Sequence, residues 1–136
     1  LKSIVEKAKI DGNITIKNSP GRNLHRLINS IAFITEIFKG LLVGKTLKDA
    51  VSTAYDATLS QLHNWVVRTG IKAGMIGLPS REHFLESIGE TEESAREHGQ
   101  AFVIAAENLV GHISSLYHGV DMPRSDFTMN SLWGGK

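Results

Sequence analysis

The chain has no cysteine, which excludes disulfides, thiolate zinc sites, iron–sulfur clusters and a cysteine nucleophile. Cysteine-free composition suits a reducing compartment. Only three prolines, Pro20, Pro79 and Pro123, punctuate its 136 residues, so two long intervals are free of helix breakers. Long apolar runs are also missing. The greasiest region, Ile28 to Val43, is interrupted by Asn29, Ser30, Thr35, Glu36, Lys39 and Gly40, short of the ~20 apolar residues that a membrane-spanning helix needs. Neither charge sign dominates: fifteen Lys/Arg face fourteen Asp/Glu, and a net +1 excludes the broad basic field of a general nucleic-acid binder. The opening LKSIVEKAKID is amphipathic and has no signal-peptide layout. It starts on Leu1 and not on Met, so we read the chain as beginning inside a larger gene product or partway along a helix.

What is present is helical periodicity. Residues 1–9 read as the last turns of a helix, Asp11-Gly12-Asn13 as a turn, and Ile14-Thr15-Ile16 as β-prone but too short to found a sheet. Ser19-Pro20 is a helix start, an N-cap oxygen followed by proline at the first position. Leu24, Leu27, Ile28, Ile31, Ile34, Phe38 and Leu41 then recur at three- and four-residue steps, with Gly40 and Gly44 marking the end. Thr46 caps a second long helix, whose core stripe runs through Leu47, Val51, Ala54, Thr58, Leu62, Trp65, Thr69 and Ile76 until Pro79 stops it. Ser80 caps a short helix over 81–88, and a last one spans about 91–117, with an acid-biased first turn and an apolar series Ala95, Phe102, Ala106, Leu109, Val110, Ile113 and Leu116. There is no βαβ pattern and no fixed-period repeat, so the expected class is all-α.

The helix start at Pro20 carries the wrong sign. A helix N-terminus bears about half a positive charge and exposed N–H groups, so acidic residues belong there. A capping box would place Glu or Gln at position 22. Instead the chain has Arg22 and Arg26, with Lys17 just before and no Asp or Glu between Asp11 and Glu36. Helical spacing puts Arg22, Arg26, Asn29, Phe33 and Ile37 on one stripe, cationic at one end and apolar further in. Two readings stand. One is a grip for an amphiphile with an anionic head and a hydrocarbon tail, with Phe33 and Ile37 lining the apolar end. The other is a solvated basic face with Phe33 and Ile37 packed on neighbouring helices.

His63 shares a predicted helix face with Asp56, Leu59, Ser60, Val67, Gly70 and Gly74, where two glycines leave room for close packing or for something thin. A lone helical histidine also reads as a surface or satisfied core residue, and Trp65 reads as core from its stripe. The remaining histidines show no HExxH or paired spacing, so no metal is expected, and neither nucleophile elbow nor P-loop is present. No enzymatic activity and no cofactor are expected.

Three stretches go further: RNLHRLINSIAFITEIF from Arg22 to Phe38, AYDATLSQLHNWVVR around His63 and Trp65, and GMIGLPSREHFL from Gly74 to Leu85. Together they resemble the glycolipid transfer protein superfamily over residues 1–117, and within it the ceramide-1-phosphate branch that includes the plant accelerated-cell-death type. The branch rests on position 26, where glycolipid-specific members carry Trp and this chain carries the second arginine of an Arg-x-x-x-Arg pair. The resemblance implies that Arg22 and Arg26 hold a lipid phosphate, that His63 bonds the ceramide amide carbonyl, and that Trp65 lies near the membrane-facing side. It implies a two-layer sandwich of eight helices, of which this chain supplies about five. Residues 1–118 are then the C-terminal two-thirds of the domain and 119–136 a tail. The family's Asp-x-x-x-Asn-x-x-Lys motif has no match here, and Asp56 does not inherit its role.

The expected function is non-vesicular transfer of a ceramide-1-phosphate-like sphingolipid, in the cytoplasm and transiently at membrane surfaces, with no nucleic-acid partner. The alternative is a truncated, transfer-inactive helical module acting through protein or membrane contacts. An incomplete sandwich also exposes apolar surface, from which oligomerisation is a further expectation.

Overall fold

Capping oxygens set most of the helix starts in this protein. The computed structural model describes residues 1–124, so 125–136 of the expected tail lie outside the described residues. Six helices follow in order: α1 (Lys2–Ile10), α2 (Pro20–Leu42), α3 (Leu47–Ala57), α4 (Trp65–Gly74), α5 (Arg81–Ser87) and α6 (Glu92–Ser115). There is no strand among the described residues, and the all-α expectation holds. Ser19, Thr46 and Ser80 each accept the N3 backbone N–H of α2, α3 and α5 at 3.2 Å, as their sequence positions predict. Thr91 and Ser94 close a reciprocal capping box on α6. No helix of the described residues is long and apolar enough to cross a membrane.

One expectation fails. The single helix predicted from Thr46 to Pro79 is broken into α3, a 3₁₀ turn over Leu59–Leu62, α4 and a second 3₁₀ turn over Met75–Gly77. Short polar side chains take the backbone partners that a continuous helix needs. Thr58 Oγ1 donates to the Ala54 carbonyl at 2.7 Å, while Asn64 Oδ1 accepts the Val67 N–H at 3.1 Å and starts a new helix. The predicted stripe is therefore buried at Leu47, Ala54 and Thr58, then fails: Trp65 is 67% exposed and Ile76 76%.

α2 is the central element, packed against α1, α3 and α6. One core joins Val5, Ala8, Ile14 and Ile28 to Ile113 and Tyr117; another joins Leu41, Leu47 and Ala50, with Ile37, Phe38 and Phe84 against them. Each Val, Ile, Leu or Phe side chain among them contributes about 1.5–3 kcal/mol when fully buried. Gly40 lies where α2 meets α3, and a Cβ there would stand 2.9 Å from the Ala50 Cβ. Gly44, at φ +87°, turns the chain back between the two helices. Across the fold, the Tyr117 hydroxyl donates to the Gly21 carbonyl. The Arg81 guanidinium donates to the carbonyls of Leu41 and Lys45 and also grips Glu92, tying α5 and α6 to the end of α2.

Candidate functional site

The arginine-bearing end of α2 is built on the turn that precedes it. Asn18 sits at φ 65°, Ser19 caps the helix, and the chain of 13–16 folds beside Arg22. Arg22 is only 6% exposed. Its Nη1 donates to the Thr15 carbonyl at 3.3 Å, while its Nε is buried and, among the described residues, has no hydrogen-bond partner and no carboxylate beside it. A guanidinium taken out of water with one long hydrogen bond and no carboxylate is an expensive arrangement without a counter-charge. Arg26, one turn on, is exposed.

Arg26 belongs electrostatically with two imidazoles. Partial burial first, and the Arg26 charge second, hold both His25 and His63 below the ordinary histidine pKa. His25 stacks edge-on against Tyr117 at 4.9 Å, and the Asn29 amide donates to the His25 carbonyl at 2.8 Å. Asn29 is thus turned to its own helix backbone.

His63 is delivered by the break in the helix. It is the extended residue (ψ 140°) between the first 3₁₀ turn and Asn64, so the face predicted for it with Val67, Gly70 and Gly74 does not exist. Open space surrounds Gly70 and Gly74. Asp56 is engaged by Lys72 at 3.0 Å, a tie between α3 and α4. What the break does bring to His63 is Tyr55, one turn before the end of α3. The Tyr55 hydroxyl and His63 Nδ1 are 2.9 Å apart, with ring centroids at 5.7 Å. Tyr55 is 1% exposed, and Phe33 of α2 meets its ring edge-on at 6.5 Å. Burial raises the Tyr55 pKa, and the charge of Arg68 on α4 opposes that rise.

Of the residues singled out in the sequence, Phe33 and His63 thus meet through Tyr55, and the Arg26 charge is felt at His63. Arg22 is packed into the turn at its start, and Ile37 packs on the α2–α3 core. Trp65 is corrected from core to surface: it is the first residue of α4, and α4 buries none of its side chains. Tyr55 and Arg68 were not singled out in the sequence, although both lie in the quoted stretch around His63. No spacing argument reaches across an unforeseen helix break.

On another face, α2 and α6 leave an apolar groove of about 620 Å³, lined by Ile31, Ile34, Phe38, Phe102, Ala106 and Leu109 among others. Four of the seven periodic apolar residues of the last helix, Ala95, Phe102, Ala106 and Leu109, face this space. Ile34, Phe102 and Leu109 remain roughly 40% exposed (43%, 39% and 43%). Among the described residues, no three His, Asp or Glu side chains are grouped to hold a metal ion.

Residues 1–90 match the family model described as glycolipid transfer protein (GLTP). An ACD11 homolog protein of Arabidopsis thaliana is 35% identical over 101 residues, which is 73% of this chain and 44% of that protein. The Homo sapiens ceramide-1-phosphate transfer protein is 26% identical over 104 residues, 74% of this chain and 49% of that protein. The chain thus spans less than half the length of either relative. Among solved structures, the apo form of mouse ceramide-1-phosphate transfer protein aligns with a TM-score of 0.78 and 27% identity, over 90% of this chain and 65% of that one. A mutant of Arabidopsis ACD11 complexed with ceramide-1-phosphate aligns with a TM-score of 0.83 and 24% identity, over 90% of this chain and 63% of that one, a likeness of fold. The helical architecture, the relatives and a family match over well more than half of the residues agree, and the chain belongs to the glycolipid transfer protein family of lipid transfer proteins.

Proposed function

We propose that this chain is the headgroup-binding part of a transfer protein for phosphorylated ceramides. Arg22 and Arg26 take the lipid phosphate, and His63 bonds the amide carbonyl. The hydrocarbon chains lie among apolar helix faces that include Phe33, and no bond is broken. The observation that carries this reading is the Arg22 side chain, a buried cation whose Nε lacks a partner beside the first turn of α2. A phosphate supplies both the missing charge and the acceptor oxygens. The exposed Arg26 charge, felt at His63, extends the anion field toward the group that would meet the amide. Relatives named for ceramide-1-phosphate transfer support the same headgroup. Trp65, exposed at the start of α4, is suited to a transient contact with a membrane interface.

The test is transfer of a fluorescent ceramide-1-phosphate between vesicles. Arg26→Ala is expected to abolish transfer while changing stability by less than about 1 kcal/mol, since the residue is exposed. Undiminished transfer by the variant refutes its role. A second reading, an inert helical module that self-associates, is favoured by the open α2–α6 groove. Size-exclusion chromatography beside the transfer assay separates the two: a monomer that moves the lipid supports the first, and an inactive oligomer the second.

A further inference from the structure

Tyr55 has no place in the reading above, yet it is the most deeply held polar side chain near His63. Its ring is 1% exposed, wedged against Phe33 of α2. A buried phenol proton needs an acceptor, because an unmade bond carries the full desolvation cost of the group. Among the described residues, the one hydrogen-bond partner of this hydroxyl is His63 Nδ1 at 2.9 Å. Two proton arrangements fit that distance. If Nδ1–H donated to the phenol oxygen, the phenol proton would be left in the core with no acceptor. If the phenol donates, both groups of this pair are satisfied, and the imidazole is held with its proton on Nε2.

We propose that Tyr55 is a positioning residue that fixes His63 in the Nε2–H tautomer, so that the imidazole meets its ligand as a hydrogen-bond donor. A lipid amide presents a carbonyl acceptor and an N–H donor. A ring locked this way bonds the carbonyl and rejects a group that offers only a donor. The inference rests on the proposed amide-binding role of His63 and adds what selects the atom used. The ring has stopped being a two-way partner. The nearby Arg26 charge keeps the ring neutral, since a cation disfavours the doubly protonated form, and the Tyr55 hydroxyl then chooses between the two neutral tautomers.

Nitrogen-15 NMR of the imidazole tests this on the chain as it stands, without lipid. The expected result is an Nε2–H signature for His63 in the native chain and a mixture of tautomers in Tyr55→Phe. An Nδ1–H signature in the native chain, or an unchanged tautomer in the variant, overturns the proposal. Phenylalanine keeps the ring packed against Phe33, and the native spectrum is decisive even if the variant folds poorly. Binding to phosphatidylcholine vesicles with and without ceramide-1-phosphate adds the functional arm. Tyr55→Phe is expected to weaken the ceramide-1-phosphate-dependent component roughly tenfold, and His63→Ala at least as much. If His63→Ala binds like the native chain, the amide-binding role itself falls, and this inference with it. If His63→Ala weakens binding while Tyr55→Phe does not, only the positioning role of Tyr55 is overturned.

Discussion

His63 shows how a single residue's environment carries the functional argument. Burial and the Arg26 charge favour its neutral form in the folded protein. The sign follows directly. With the folded pKa below the unfolded value of about 6.5, the fold is fully favoured above that value. It loses this contribution as the pH falls toward the folded pKa. Arg26→Gln removes the cation, so the His63 midpoint measured by NMR titration is expected to rise toward the ordinary value. Burial remains and keeps it from arriving there. An unmoved midpoint would mean that the guanidinium does not bear on the imidazole. At this scale much was legible in the sequence. The two arginines stand out because Arg22 occupies the cap position meant for a carboxylate and Arg26 follows one turn on, and His63 stands out by its neighbours in the motif. Tyr55 was not legible, because its relation to His63 depends on a fold in the chain between them.

That fold in the chain belongs to the scale of elements. Periodicity located α1, α2, α5 and α6 within two or three residues, because their apolar stripes end at capping residues or glycines. It joined α3 to α4 because Thr58, Leu62 and Trp65 continue the spacing. Periodicity cannot register that Thr58 and Asn64 compete for backbone partners. The glycine at the α2–α3 crossing gives a test with an unusual sign. In a helix interior, Gly→Ala ordinarily stabilises by about 0.5–1 kcal/mol. Gly40→Ala is expected to destabilise by about 1–3 kcal/mol in urea unfolding, because the new methyl group stands 2.9 Å from the Ala50 Cβ. Stabilisation by this change would show that α2 and α3 are less tightly apposed than the structure has them.

At the scale of the whole molecule, the two ends of the described fold are fastened to each other. Tyr117, just beyond α6, reaches back over 96 residues to the Gly21 carbonyl and stacks on His25. Tyr117→Phe keeps the ring contact and removes one donor from the Gly21 carbonyl, which retains its place in the α2 hydrogen-bond ladder, an expected loss of about 0.5–1.5 kcal/mol on chemical denaturation. No change in the midpoint would mean that water replaces the hydroxyl without cost. The same scale explains why the open groove was only half legible. The sequence identifies Phe102 and Leu109 as apolar positions of α6, but only the packing of α2 shows that nothing among the described residues covers them.

α4 contributes no buried side chain, is bounded at both ends by tight 3₁₀ turns, and is held to α3 by the surface pair Lys72–Asp56. With its apolar side chains at most half-buried, α4 ranks low in local stability within the fold, and salt weakens the Lys72–Asp56 pair further. The fold thereby sets an indole at the first position of this lightly held helix and an imidazole two residues before it. Any contact made by that exposed indole is therefore made within two residues of the imidazole that Tyr55 holds.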